Sequence, residues 1–104
     1  MNTSWMNASD AEILEDIGKR VRLWRMSSNW TQQQLADHTG LNRSTIRDLE
    51  HGKPVSLYTF LPVLRALHLL DRLDQALPDQ HKHPVLAVKQ LERKRVRSKK
   101  QKEE

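Results

Sequence analysis

Few side chains in this sequence have types and spacings that could do chemistry. None of the 104 residues is Cys, which removes disulfide frameworks, thiol catalysis and Cys-based zinc sites together. Gly52-Lys53-Pro54 lacks the upstream Gly and the following Ser or Thr of a phosphate-cradling loop. There is no HExxH pair to hold a catalytic zinc, and no Ser stands in a nucleophile elbow. His81 and His83, beside Asp79, could hold a metal, but two His in a linker fall short of the four ligands zinc takes. The expectation is no catalytic residues, no metal, no cofactor and no enzyme.

Charge is the next source of chemistry, and it is unevenly placed. Met1 to Leu77 holds nine Lys/Arg and nine Asp/Glu, whereas Pro78 to Glu104 holds nine against four. The whole net charge of +5 therefore sits in the tail. Such tails attract polyanions without specifying which one.

The elements that would position these groups read as helices. Ser9 and Glu12 form a capping box, and Ile13, Ile17, Val21 and Trp24 then fall on one face, with Leu14 beside them. Lys19, Arg22 and Glu15 lie opposite, and Ser27, Ser28 and Asn29 end the helix. Thr31 and Gln34 make a second capping box, with Trp30 and Leu35 as its staple, and Gly40 enforces a stop near His38 or Thr39. Asn42 caps a third helix, stapled by Leu41 on Ile46, with Ile46 and Leu49 inward and Gly52 and Pro54 closing it. A fourth helix starts either at Ser56, leaving Pro62 at an interior position, or at Thr59, leaving it in the first turn, where a missing N–H costs little. Leu64 and Leu67 point inward either way. A fifth, about 70–77, carries Leu70, Leu73 and Leu77 and stops at Pro78.

The expected organisation is all-α. Residues 1–8 are a flexible N-terminus, 9–77 a five-helix domain, and 78–104 a basic, disordered tail in which Val85, Leu86, Val88 and Leu91 could become helical on a partner. The richest apolar stretch, Leu57 to Leu77, is broken by Thr59, Pro62, Arg65 and His68, too soon for the roughly 20 apolar residues of a membrane span. Met1 to Ser9 offers no export signal, so a cytoplasmic location is expected. The four Asn-X-Ser/Thr triplets, at Asn2, Asn7, Asn29 and Asn42, then read as turn and cap chemistry.

Two short helices joined by a Gly-containing turn have helix-turn-helix spacing. Thr31-Gln32-Gln33-Gln34-Leu35-Ala36, Gly40-Leu41, Ser44-Thr45-Ile46 and Leu49-Glu50-His51-Gly52-Lys53 together resemble the Cro/repressor-type helix-turn-helix (Xre) family over about residues 13–77. With the basic tail, a narrower resemblance is to the HipB-like DNA-binding subunits of toxin–antitoxin modules. The resemblance implies a repressor-like fold whose third helix enters the major groove of double-stranded DNA while the second crosses the backbone.

On that helix Arg43, Ser44, Arg47 and Asp48 share the outer face and are the candidate base contacts. Arg43 suits the two acceptors of guanine, Ser44 serves either role, and Asp48 would accept from cytosine. Asp48 could instead brace Arg43 or Arg47. The phosphate candidates are Thr31, Gln32, Asn42, Thr45, His51, Lys53 and Tyr58, with Gln32 contacting phosphate or bracing the third helix; each could equally be a cap or an ordinary exposed polar residue. The resemblance also implies an Arg25–Glu50 ion pair tying the first helix to the third. Trp24 and Trp30 read as core and staple rather than base-stacking platforms, while Trp5 has no assigned face. Two departures stand out: Pro62 within a stretch usually plain helix, and His68 where Gly is common.

The function expected is a sequence-specific, DNA-binding transcriptional repressor, acting as a homodimer on an inverted repeat and autoregulating a toxin–antitoxin operon. Two other readings stay open. In one, the chain is a subunit that binds a toxin kinase, with DNA binding secondary; in the other, the tail dominates as a nonspecific nucleic-acid clamp.

Overall fold

The computed structural model describes residues 4–80 and residue 92. The basic tail beyond residue 80, with the His81–His83 pair and the Val85–Leu91 segment, lies outside the described residues apart from Glu92. The chain divides into two compact units, residues 1–71 and 72–104. Among the described residues the fold is all-α, with helices α1 (Asp10–Ser27), α2 (Gln32–Thr39), α3 (Arg43–Glu50), α4 (Leu57–Ala66) and α5 (Leu70–Ala76) and no strand. This is the repressor-like helix-turn-helix architecture, and its α2-turn-α3 core lies wholly within the first unit.

Each helix start follows from its local chemistry. The Ser9 hydroxyl accepts from the Glu12 N–H while the Glu12 carboxylate accepts from the Ser9 N–H, and Thr31 and Gln34 do the same at α2. Each box satisfies donors that the first helical turn leaves without partners. The Ser9 hydrogen bonds also hold the Glu12 carboxyl below its ordinary range. Gly40 ends α2 at φ 76°, with nothing within 4 Å of where a Cβ would stand. It is needed for its backbone conformation rather than its small size. Thr39 assists, its hydroxyl donating to the Leu35 and Ala36 carbonyls in the last turn.

Asn42 occupies the cap position of α3 with extended backbone angles but makes no side-chain cap bond. The sequence reading is corrected there: the turn from Gly40 positions the start of α3 and leaves the Asn42 side chain uncommitted. At α4 the Ser56 start is realised. Ser56 accepts from the Thr59 N–H, and Pro62 lies inside the helix as its sixth residue. The carbonyl that Pro62 cannot serve belongs to Tyr58, which is 88% exposed, so water can satisfy it. His68 follows α4 at φ 61°, the left-handed conformation for which Gly is the usual choice.

The core gathers Val21 from α1, Leu35 and Ala36 from α2, Ile46 and Leu49 from α3, and Val63, Ala66 and Leu67 around the end of α4. Trp30, Leu41 and Ile17 pack against it from its edge. Trp24 does not join it: it stays 43% exposed, beside Leu23 and Met26, which are also exposed. The expectation of a core Trp24 is overturned because the buried face of α1 runs through Gly18, Val21 and Arg25, and Trp24 falls at its margin. Gly18 carries the closest approach. A Cβ there would stand 2.5 Å from the Leu49 carbonyl oxygen and 2.6 Å from that of Glu50, so α1 and the end of α3 meet backbone to side-chain-free backbone.

The N-terminal stretch is tied to α1. A single 3₁₀ turn at Trp5–Asn7 places the Trp5 indole N–H 2.7 Å from Asp16 Oδ2, and the Arg20 guanidinium lies 4.6 Å from the Trp5 ring centroid. The indole hydrogen bond, with help from Arg20, holds the Asp16 carboxyl below its usual range. Trp5 thus has a face, which its sequence neighbours did not reveal.

In the second unit α5 continues to Ala76, with Leu73 half-buried. Leu77 lies just past the helix and is 72% exposed.

Candidate nucleic-acid interface

The third helix has two unlike ends. At its close, Glu50 is buried and accepts from Arg25 in two-pronged fashion, Nε to Oε2 at 2.6 Å and a terminal nitrogen to Oε1 at 3.1 Å. The other terminal nitrogen of Arg25 donates to the Trp30 carbonyl at 2.7 Å, so one guanidinium joins α1, the α1–α2 loop and α3. Gln32 Nε2 adds a bond to Glu50 Oε1 at 3.1 Å. The implied Arg25–Glu50 pair is present, and of the two roles open to Gln32 the bracing one is visible. Buried side chains with every polar atom satisfied, as found among the described residues, make such a charged network tolerable in a small core.

Along its outer face, α3 presents Arg43 and Ser44 at its start and Arg47 in its last turn to solvent. None forms an ion pair or side-chain hydrogen bond among the described residues, while Ile46 and Leu49 hold the opposite face in the core. Period 3.6 separates the two faces, and the free guanidiniums are those a base edge or phosphate could engage. Asp48 differs. Its carboxylate lies 3.5 Å from Lys53 Nζ, and its carbonyl accepts from the Lys53 N–H. The alternative weighed for Asp48, a brace, is present, but to Lys53 rather than to Arg43 or Arg47, because the turn through Gly52, at φ 82°, folds the following residue back onto the helix. Asp48 and Lys53 enter any interface as a mutually neutralised pair on a half-exposed edge.

The remaining candidates cluster by element. Thr31 and Gln32 open α2, Asn42 and Thr45 open α3, His51 and Lys53 follow α3, and Tyr58 sits in the first turn of α4. Thr31 is committed through its cap bond to the Gln34 N–H, and Thr45 is half-buried. Asn42, His51 and Tyr58 are exposed. Helix N-termini with unserved N–H groups suit phosphate oxygens, and three of these clusters stand at such starts.

Two features escaped the sequence reading. Gly18 could have been flagged by its position between Ile17 and Val21 on the buried face, where a residue without a side chain suggests close packing. A cleft of about 520 Å³ lined by Glu15, Lys19, Arg22, Gln32, Glu50 and His51 had no such signal, since its walls come from three separate helices and the turn after α3.

The architecture defines a helix-turn-helix protein with a braced third helix whose solvent face is cationic and polar. Comparison with known proteins agrees. The helix-turn-helix domain family matches residues 16–77. A curated relative, the competence pilus inhibition repressor of Acinetobacter baylyi, is 51% identical over 37 residues, which are 36% of this chain and 34% of that protein. The chain thus aligns with about a third of that relative's length. Among solved structures, the restriction-modification controller protein C.AhdI of Aeromonas hydrophila is 34% identical with a TM-score of 0.53, over 56% of this chain and 89% of that one. The chain belongs to the helix-turn-helix domain family. No helix among the described residues is long and apolar enough to cross a membrane.

Proposed function

We propose that the protein is a sequence-specific transcriptional repressor that binds double-stranded DNA as a homodimer on an inverted repeat. One observation carries this reading: α3 is anchored at Glu50 by Arg25 and Gln32, and it leaves Arg43, Ser44 and Arg47 uncommitted on the solvent side. A firmly anchored helix with unpaired donors on its outer face is what readout of base edges needs, since a good two-pronged contact discriminates by about 1–3 kcal/mol. Arg43, Ser44, Arg47 and Asp48 are assigned to bases. Thr31, Gln32, Asn42, Thr45, His51, Lys53 and Tyr58 are assigned to the backbone, where they set register without reading sequence. Residues 9–77 form the DNA-binding domain, and the basic segment 78–104 adds contacts flanking the site. Two-fold symmetry would place two half-sites about one helical turn apart. A repressor and a controller among its relatives support a regulatory role.

Selection of bound duplexes from a random pool at near-physiological salt, with Arg43→Ala in parallel, tests the reading. Enrichment of an inverted repeat that the variant loses or relaxes is expected; binding with no enriched sequence would overturn it. The second reading, a HipB-like subunit of a toxin–antitoxin module that also binds a toxin kinase, rests on the basic tail. Copurification of a kinase encoded beside it, retained by Arg43→Ala, would support that role.

A further inference from the structure

Helix α1 carries four cations, and the structure treats them differently. Arg25 is buried against Glu50. Arg20 is held 2.9 Å from Asp16 and over the Trp5 ring. Lys19 and Arg22, exposed, form no ion pair among the described residues and line the cleft between α1, the start of α2 and the end of α3. Of the two carboxylates in that cleft, Glu50 is already engaged by Arg25 and Gln32, and Glu15 pairs with neither cation. The unpaired groups of the cleft are thus two cations against one carboxylate, a net positive charge. The cleft also holds His51 and Gln32, at the close of α3 and the opening of α2.

We propose that Lys19 and Arg22 bind a phosphate segment of the DNA backbone in this cleft, extending the interface from the helix-turn-helix onto α1. The proposal rests on the DNA-binding reading above and deepens it. With α3 in the groove and α2 across the backbone, the docking a helix-turn-helix uses, the bordering strand would pass the cleft between α1, the start of α2 and the end of α3.

The test is the Lys19→Ala/Arg22→Ala variant of the full chain, with Arg20→Ala as a comparison that removes charge from the same helix on its Trp5 side. Affinity is measured across a salt series on the selected duplex and on a scrambled one. Two lost phosphate contacts lower the slope of log affinity against log salt by about 1.8, roughly 0.9 for each. Affinity falls by similar factors on both duplexes, the preferred sequence is kept, and the melting temperature holds because both side chains are exposed. Arg20→Ala leaves the slope near that of the wild type. An unchanged slope in the double variant, an altered preferred sequence, or an equal loss per charge in Arg20→Ala would each overturn the proposal. A wild-type chain that selects no sequence would instead overturn the DNA-binding reading itself.

Discussion

The two ends of α3 hold side chains of the same kinds under opposite conditions. At the far end a carboxylate and a guanidinium are nine-tenths or more removed from solvent and bonded in a fixed fork; on the solvent face Arg43, at the near end, and Arg47, in the last turn, stand in water without partners among the described residues. Arg43 and Glu50, the first and last residues of α3, stand seven positions apart. A guanidinium thus has no role of its own in this fold: burial against Glu50 makes Arg25 part of the scaffold, and exposure makes Arg43 available to a ligand. Mutations that destroy binding at the two ends should do so for different reasons, and stability measurements separate them.

The largest effect is expected at the anchor. Arg25→Ala leaves Glu50 buried without its counter-charge, and loss of one partner of such a pair costs about 3–5 kcal/mol. A fold this small should then melt well over 10 °C lower, since each kcal/mol shifts a domain of this size by roughly 4–8 °C. Thermal denaturation checks this, and a wild-type melting temperature would remove the anchor from the comparison. Gly18→Ala comes next. Its new Cβ would fall 2.5 Å from the Leu49 carbonyl, forcing α1 and α3 apart at a cost of about 1–3 kcal/mol, read as a shift in denaturant midpoint.

At the reading end, Arg43→Ala should leave stability within about 0.5 kcal/mol, as for exposed substitutions generally. It should cost about 1–3 kcal/mol of discrimination at one base pair, measured as affinity for the selected duplex against its single-base variants. If Arg43→Ala melted early instead, the two ends of α3 would not be distinct. Thr31→Ala lies between the two regions. Loss of its cap bond should cost about 1 kcal/mol of stability, and any further loss of DNA affinity beyond that would reveal a phosphate contact at the same residue.

The smallest effect concerns the docked N-terminal turn. The Asp16 carboxyl titrates below its usual range because its ionised form accepts from the Trp5 indole and pairs with Arg20. A depressed folded value means that this contact stabilises at pH above the ordinary carboxylate range and is lost as pH falls through the folded value. Trp5 should therefore undock in acid, and Asp16→Asn should undock it at neutral pH. Tryptophan emission of a chain retaining Trp5 but with Trp24 and Trp30 replaced by Phe would report both.

Much of the fold was legible without coordinates, because it is written in local rules. The capping boxes at Ser9 and Thr31, the left-handed stop at Gly40, and the inward spacing of Ile46 and Leu49 each depend on residues within a few positions of one another, and the structure shows all of them. Local rules alone left the choice between Ser56 and Thr59 open at α4, because both starts satisfied a cap, and the structure realises the earlier one, with the Ser56 hydroxyl accepting from the Thr59 N–H. They misplaced Trp24, whose helical spacing was right but whose neighbours across the core were not knowable.

The site divides in the same way. Sequence by itself determined which helix would carry Arg43, Ser44 and Arg47 and which of its faces would be outward, since a period of 3.6 residues and two apolar anchors suffice for that. Tertiary structure decided the rest: that Asp48 turns to Lys53, that Gln32 reaches Glu50 eighteen residues away, that Trp5 rests on Asp16, and that Lys19 and Arg22 face a cleft shared with α2 and the end of α3. Those contacts join residues remote in the chain, and their partners are chosen by how helices pack and turns fold back, which no local periodicity encodes.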